Sequence, residues 1–263
     1  MKILHKWMSG ENMLKYGLMA TVLVFGIFYH KASHFKQRAI TGQLVVEVKH
    51  LESGNDFITG EEMRTRVTNK FKSEFANKPM GSLSPMEIEA GLKSLDFIKS
   101  ADVFVDANNQ LNVYVTQREP ILRVVTSNGY SMYVDKDATT MPASLHYSPR
   151  VLVAYVNMPD HIDTLAIGKP GLQQELFELA NRIREDRLLN TLIEQVAADK
   201  EGDWVLVPKI GPSKVYIGSL ERLDEKLESL KKVYKTILPA EGWDKYGTVN
   251  LKFRGQVICT KKA

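Results

Sequence analysis

The chain has 263 residues, of which 44% are hydrophobic and 25% charged, a composition typical of a folded globular protein and not of a disordered one. Its net charge is +4, but the first 38 residues hold six basic side chains against one acid, so they carry +5 and the rest of the chain carries −1. A nearly neutral body excludes the basic surface that nucleic-acid binding requires. The single cysteine, Cys259, excludes an internal disulfide, and no Cys/His spacing indicates a metal site or a cofactor.

An apolar run of 17 residues, Met13 to Tyr29, contains a single charge at Lys15. At 1.5 Å per helical residue it nearly crosses a hydrocarbon core of about 30 Å. The small residues that a signal peptidase needs are missing after the run. We therefore predict an uncleaved transmembrane helix over residues 13–30, between a tail of residues 1–12 and a linker of residues 31–42. Lysines on both sides leave its orientation open.

The first predicted strand is "LVVEVKHL", residues 44–51. Thr59 then has the position of a helix N-cap before "EEMRTRVTNKF". A second helix begins at Ser84 and Pro85, because serine caps a helix and proline suits its first turn.

Two strands follow, "ADVFVD" and "LNVYVTQ", with residues 107–110 as a polar hairpin loop between them. The order β-α-α-β-β predicts a compact α+β unit. Alternation along the two strands assigns core positions to Ala101, Val103, Val113 and Val115.

From Pro120 onward six apolar runs predict strands: "ILRVV", "YSMYV", "VLVAYV", "TLIEQV", "DWVLV" and "KVYIG". Two helices interrupt them, Gly171 to Arg187 and Ser219 to Leu238. The second helix has apolar residues at the spacing of a coiled coil, but it spans only two and a half heptads, which favours a helix that covers one face of a sheet. We predict a mainly antiparallel β domain with two helices.

The motif "YVDKDAT" places Asp135, Asp137 and Thr139 directly after an apolar strand. Phosphatases of the haloacid-dehalogenase type use such a pair of carboxylates, one as nucleophile and one as general acid/base, with Mg²⁺. The chain lacks a convincing downstream acidic pair for the metal. A tight turn between two strands explains the same residues and is the interpretation that we favour.

The last stretch, "YGTVNLKFRGQVICTKKA", alternates from Val249 onward and predicts one strand as far as Ile258. Val249, Leu251, Phe253 and Val257 would share the core face, while Asn250, Lys252, Arg254 and Gln256 would face water. The free edge of such a strand either binds a partner strand or is simply the last edge of the sheet, protected by lysines.

The segments "FIKSADVFVDANNQLNVYVTQREPILRVV" and "YVDKDATTMP" resemble the FtsQ/DivIB family of bacterial cell-division proteins. The matching positions, in chain order, are Ala101, Val103, Leu111, Val113, Val115, Arg118, Pro120, Val134 and Asp135. The terminal "VNLKF" is similar to the "VDLRY" frequent in the family. The chain departs from the family at three positions. Ala138 lies near the position of the family's turn glycine, Asn250 replaces the usual acid, and Lys252 replaces the usual arginine.

The resemblance implies a POTRA domain over residues 43–119 and a β domain over residues 120–263 that ends in a partner-binding strand. It implies a cytoplasmic N-terminus, a periplasmic body in the inner membrane, and a position at the division septum. Members are non-enzymatic scaffolds that join other divisome membrane proteins through the POTRA domain and recruit the single-pass proteins FtsB and FtsL for septal peptidoglycan synthesis. In the family, the positions matching Lys252 and Phe253 lie at the partner contact.

The predicted partner-binding residues are therefore Asn250, Lys252, Phe253, Arg254 and Gln256. The alternative functions are a POTRA-bearing protein of envelope assembly or transport, and a Mg²⁺-dependent phosphatase that uses Asp135 and Asp137. The first alternative predicts further POTRA repeats or a membrane barrel, and the sequence contains no internal repeat.

Overall fold

The computed structural model describes residues 10–38, 43–52, 54–70, 79, 84–144, 147–156 and 171–262. They divide into two compact units. The first takes its residues from Met1–Lys49 and Ile58–Thr116, and the second from His50–Phe57 and Gln117–Ala263. Residues 50–57 thus group with the second unit although most of the first unit follows them in sequence.

Helix α1 extends over Gly10–Arg38, so it passes through the predicted span 13–30 and continues into the predicted linker. Residues 1–9 of the predicted tail and 39–42 of the linker lie outside the described residues. Side chains are described for residues 15–31 of α1, and all of them are exposed. Within the described part of the chain, no helix combines the length and apolar character needed to cross a membrane.

The first unit has the predicted order β-α-α-β-β. Its elements are β1 (Leu44–Lys49), α2 (Gly60–Lys70), α3 (Pro85–Lys93), β2 (Ile98–Val105) and β3 (Leu111–Gln117). Both predicted caps are confirmed. The hydroxyl of Thr59 accepts the amide of Glu62 at 3.2 Å while the Glu62 carboxylate accepts the amide of Thr59 at 2.9 Å, and Ser84 accepts the amide of Glu87 at 3.4 Å.

The three strands of this unit form a sheet in the order β1-β3-β2, with β1 parallel to β3. One face packs on the two helices through Met63 and Val67 of α2 and Ile88 and Leu92 of α3. The four predicted core positions are confirmed as buried: Ala101, Val103, Val113 and Val115.

The second unit contains most of the strands. They are β4 (Pro120–Thr126), β5 (Ser131–Asp135), β6 (Thr140–Pro142), β7 (Leu152–Val156), β8 (Ile193–Ala198), β9 (Trp204–Pro208), β10 (Lys214–Gly218), β11 (Tyr246–Asn250) and β12 (Ile258–Lys261). Its helices are α4 (Leu172–Glu185), α5 (Arg187–Leu192), α6 (Leu223–Lys232) and α7 (Leu238–Glu241), with a π-helical turn, Val233–Ile237, between the last two.

These nine strands form one sheet in the order β12-β11-β10-β9-β8-β7-β4-β5-β6. The pairs β4/β7, β7/β8 and β10/β11 are parallel, and the other five are antiparallel. The prediction of a mainly antiparallel domain did not include these parallel pairs. The pairs β7/β8 and β10/β11 arise because α4 and α5 connect β7 to β8, and α6 and α7 connect β10 to β11, crossovers long enough for parallel pairing.

The predicted helix Gly171 to Arg187 is in fact two helices. Asp186 has an extended backbone that ends α4, and its carboxylate caps α5 by accepting the amides of Leu188 and Leu189 at 2.9 and 3.1 Å. The hydrogen bond from Lys231, followed by that from the Leu189 amide, lowers the pKa of Asp186. Helix α5 also contains Thr191 and Leu192, which the sequence assigned to a strand.

The predicted helix Ser219 to Leu238 covers the sheet as expected, with Leu223, Leu227 and Leu230 buried in the main core. It begins later than predicted, because Arg222 has a left-handed backbone with φ of 55°. The wider π-helical turn shifts the buried positions, so that Val233 and Leu238 are buried while Ile237 is only partly buried.

Candidate partner-binding site

The C-terminal stretch is two strands instead of the single strand that its alternation predicts. Strand β11 ends at Asn250 and lies between β10, to which it is parallel, and β12, to which it is antiparallel. The chain reverses in the turn Phe253 to Gln256, where Gly255 has a φ of 68° that favours glycine. The predicted strand Val249 to Ile258 is therefore wrong, and the signal that the prediction missed was Gly255.

The reversal changes which residues face the core. Val249 and Leu251 are buried as predicted, and Val257 packs against the core. Phe253, predicted on the same face, is instead 53% exposed. Phe253 therefore contributes less to the core than its predicted position implied.

Of the five predicted contact residues, Lys252, Phe253, Arg254 and Gln256 come together in this exposed loop. Asn250 lies in β11 and is only partly exposed. Its side-chain oxygen accepts the amide of Lys252 at 3.0 Å, which shapes the start of the loop. Asn250 therefore has a local structural role.

Lys252 is held in place by the protein itself. Its aliphatic stem packs over Gly218, where a Cβ atom would lie 3.0 Å from Cγ of Lys252. Its ammonium group forms an ion pair with Asp203, in the turn between β8 and β9. This hydrogen bond raises the pKa of Lys252, and the negative charges of Asp203, Asp199 and Glu201 act in the same direction.

Asp203 also acts on a second cation. Lys226 of α6 is 5% exposed, and its Nζ donates to the carbonyl oxygen of Ser219 at 2.7 Å. Burial lowers the pKa of Lys226, and the charge of Asp203 partly offsets this effect.

We expect Lys252→Glu to lower the melting temperature of the second unit, because it replaces an ion pair with an additional acid among Asp199, Glu201 and Asp203. Combining it with Asp203→Lys restores an ion pair of reversed polarity and should recover the loss. Arg254→Glu is the control, since Arg254 is exposed and has no ion pair among the described residues. Equal melting temperatures for Lys252→Glu and Arg254→Glu would show that the ion pair adds no stability.

The free edge of the sheet lies at β12. Among the described strands, β12 and β6 form the two ends of the nine-stranded sheet. Strand β6 is three residues long and ends at Pro142, which blunts that end. Strand β12 has no proline, and Ile258 at its start is 45% exposed. Cys259 is partly buried against the core, and burial raises the pKa of its thiol.

The direction of the backbone amides of β12 follows from one hydrogen bond. The amide of Lys262 donates to the carbonyl oxygen of Lys245, on the β11 side, at 3.0 Å. Because alternate amides of a strand point to opposite sides, the amides of Cys259 and Lys261 point away from β11. A strand added at this edge would find two donors there.

The turn at Asp135 is structural. The Oδ1 atom of Asp135 accepts hydrogen bonds from the amides of Asp137 and Thr139 at 2.9 and 2.8 Å, and Oδ2 accepts one from Nη1 of Arg118 at 2.8 Å. This confirms the turn that the sequence predicted. Where the structure describes side chains, no three His, Cys, Asp or Glu residues form a group suited to a metal ion.

The fold and the site define a modular α+β protein, with a β-α-α-β-β unit followed by a large mixed sheet in which, among the described strands, β12 is an edge strand. A family model described as "FtsQ/DivIB, C-terminal related" matches residues 119–260, more than half of the chain, and a POTRA-like domain model matches residues 42–116. The chain belongs to the FtsQ/DivIB C-terminal related family. The search of curated proteins found no match. The two matches support a role as a cell-division scaffold, with interactions in the divisome at the septum.

Proposed function

We propose that this protein is a non-enzymatic scaffold that recruits FtsB- and FtsL-type proteins to the division site for septal peptidoglycan synthesis. The observation that supports the proposal best is the open edge of β12 at the end of the sheet. A partner strand gains affinity from backbone hydrogen bonds to such an edge and specificity from the neighbouring side chains.

The loop from Lys252 to Gln256 is the proposed source of this specificity. Phe253 offers an exposed aromatic ring, and Arg254 an exposed guanidinium group that attracts acidic partner residues. Gln256 adds a polar contact. Lys252 already forms an ion pair with Asp203, so an acidic partner residue would have to share or replace Asp203. The contribution of Lys252 to binding is therefore smaller than its family position implies.

The proposal extends to the rest of the chain. Residues 43–119 form the POTRA domain that docks other divisome membrane proteins, and residues 120–263 form the β domain. Residues 13–30 span the cytoplasmic membrane, with the N-terminus in the cytoplasm and the body in the periplasm. In support of the span, large apolar side chains on several sides of α1 are exposed, among them Leu18, Leu23 and Val24.

The family match favours this function over the two alternatives. A protein of envelope assembly or transport shares only the POTRA-like domain, whereas the match over residues 119–260 concerns cell division. A phosphatase would need the Asp135 carboxylate free to attack phosphorus, but both of its oxygens are already bound within the protein.

Lys261→Pro tests the proposed strand addition. Proline removes the outward amide of Lys261 and fills the space beside the edge, so affinity for the purified FtsB-type ectodomain should fall at least about tenfold. The matched control is Lys261→Ala, which removes the side chain and its charge but keeps the amide. The two variants, each as the full chain, are compared with wild type by interferometry.

The proposal predicts near wild-type binding for Lys261→Ala and a large loss for Lys261→Pro, with unchanged melting temperatures. Equal binding by the two variants would rule out strand addition at this edge.

A further inference from the structure

A second exposed surface of the second unit is not explained by the proposed function. Ile210, in the turn between β9 and β10, is 57% exposed, and Trp243, in the loop before β11, is 41% exposed. The hydroxyl of Tyr234 donates to the carbonyl oxygen of Ile210 at 2.8 Å, and its ring centroid lies 6.0 Å from that of Trp243. Both residues therefore adjoin Tyr234.

These side chains stand on a rigid base. Tyr234 is 5% exposed, and burial raises the pKa of its phenol, so the hydroxyl stays a hydrogen-bond donor. Gly211 has a φ of 85°, and a Cβ atom there would lie 3.2 Å from Leu238 and 3.3 Å from the Tyr234 hydroxyl. Only a glycine lets the turn approach the helix so closely. A fixed surface loses little entropy when it binds.

Two lysines lie at the same end of the sheet as this apolar pair. Two hydrogen bonds bring the neighbouring segments together: the amide of Ser213 donates to the Gly247 carbonyl at 2.8 Å, and that of Lys262 to the Lys245 carbonyl at 3.0 Å. The positions at this end of the sheet include Lys209, next to Ile210, and Lys262. Neither forms an ion pair within the described residues, whereas Lys245 is paired with Glu241.

The patch adjoins the open edge of the sheet. Tyr246, three residues after Trp243, is aligned with Lys261 near the end of β12. A polypeptide that pairs with β12 and continues beyond Lys261 therefore arrives next to Trp243. Tryptophan is among the residues that contribute most to binding energy in protein interfaces.

We propose that the Trp243 patch, formed by Ile210, Trp243 and the two nearby lysines, is a second contact for the same partner that adds a strand to β12. The segment that it binds carries acidic residues and at least one large apolar side chain. The apolar side chain packs between Ile210 and Trp243, and the acids pair with the lysines. This inference rests on the proposed function, because it assigns the patch to the same partner.

An anionic membrane surface is the other occupant that tryptophan and lysine together can bind. The continuity of the patch with the β12 edge favours the peptide. To distinguish the two occupants, the full chain in neutral nanodiscs is mixed with vesicles of phosphatidylglycerol. If the wild-type chain binds these vesicles and Trp243→Ala does not, the proposal is overturned.

The main test measures binding of the purified FtsB-type ectodomain to the full chain and to two patch variants, Trp243→Ala and Lys209→Glu/Lys262→Glu. Trp243→Ala should weaken binding about 30-fold, as expected of an interface hot spot. The lysine variant should also weaken binding and reduce its salt dependence. The controls are Tyr155→Ala, which removes another exposed aromatic ring, and Lys200→Glu, which reverses an exposed lysine elsewhere.

Comparison with Lys261→Pro separates the two proposals. If the patch variants bind like wild type while Lys261→Pro does not, the patch is not a contact and the proposed function stands. If neither the patch variants nor Lys261→Pro loses binding, both are wrong. Because Trp243 also contacts Tyr234, melting temperatures accompany each titration, and the lysine variant, which keeps the apolar pair, decides the result if Trp243→Ala unfolds.

Discussion

Val113→Asp will prevent the first unit from folding. Val113 is 1% exposed in the middle strand of its sheet and packs among the apolar side chains of α2 and α3. The substitution loses about 1.5–3 kcal/mol of apolar burial and adds the cost of burying a carboxylate that has no partner, which makes a total of at least about 4 kcal/mol. A unit of this size has a stability of about 3–10 kcal/mol, so the loss is comparable to the whole.

The matched control is Val45→Asp, the same change on the exposed face of the same sheet, where Val45 is 36% exposed. Its cost should be below about 1 kcal/mol. Limited proteolysis of the full chain measures both variants, since an unfolded first unit is cleaved between residues 58 and 116 while the second unit persists. If Val113→Asp and Val45→Asp resist proteolysis equally, Val113 does not face the core, and the opposite face of β3 does.

Arg118→Met will destabilise the second unit by about 3 kcal/mol, because it leaves the Asp135 carboxylate buried without its counter-ion. The Asp135 side chain is 1% exposed, and that of Arg118 19%. Methionine preserves much of the packing of the arginine stem, so the loss reports mainly the charge. The two backbone amides that Asp135 still accepts keep the expected cost at the lower end of the range for such pairs.

A double-mutant cycle with Asp135→Asn separates charge from shape. The asparagine removes the buried charge, so the double variant should be more stable than Arg118→Met alone. Lys136→Met, an exposed position in the same turn, is the control and should change stability by no more than about 0.5 kcal/mol. Denaturant titration, followed by the fluorescence of the buried Trp204, measures the stability of the two single variants, the double variant and the Lys136→Met control. An unchanged midpoint for Arg118→Met would mean that the ion pair has no stabilising role.

The sequence predicted the features that depend on residues a few positions apart. The caps at Thr59 and Ser84 are such features, because a helix end is stabilised by the next three residues. The buried faces of β2 and β3 are another, since strand alternation needs no knowledge of the neighbours. The same alternation was misleading after Asn250, because a polar loop that alternates with apolar residues has the pattern of a strand, and only Gly255 contradicted it.

The chain by itself determined the β-α-α-β-β order, the apolar segment of residues 13–30 and the resemblance that led to the family, because each is written in local spacing and in the order of motifs. Only the tertiary structure decided which surfaces remain for partners. The ion pair of Lys252 joins residues 49 positions apart, and the neighbourhood of Ile210 and Trp243 depends on Tyr234 of a third segment. Such contacts depend on how the strands and helices pack, and periodicity along one strand or helix contains no information about its neighbours.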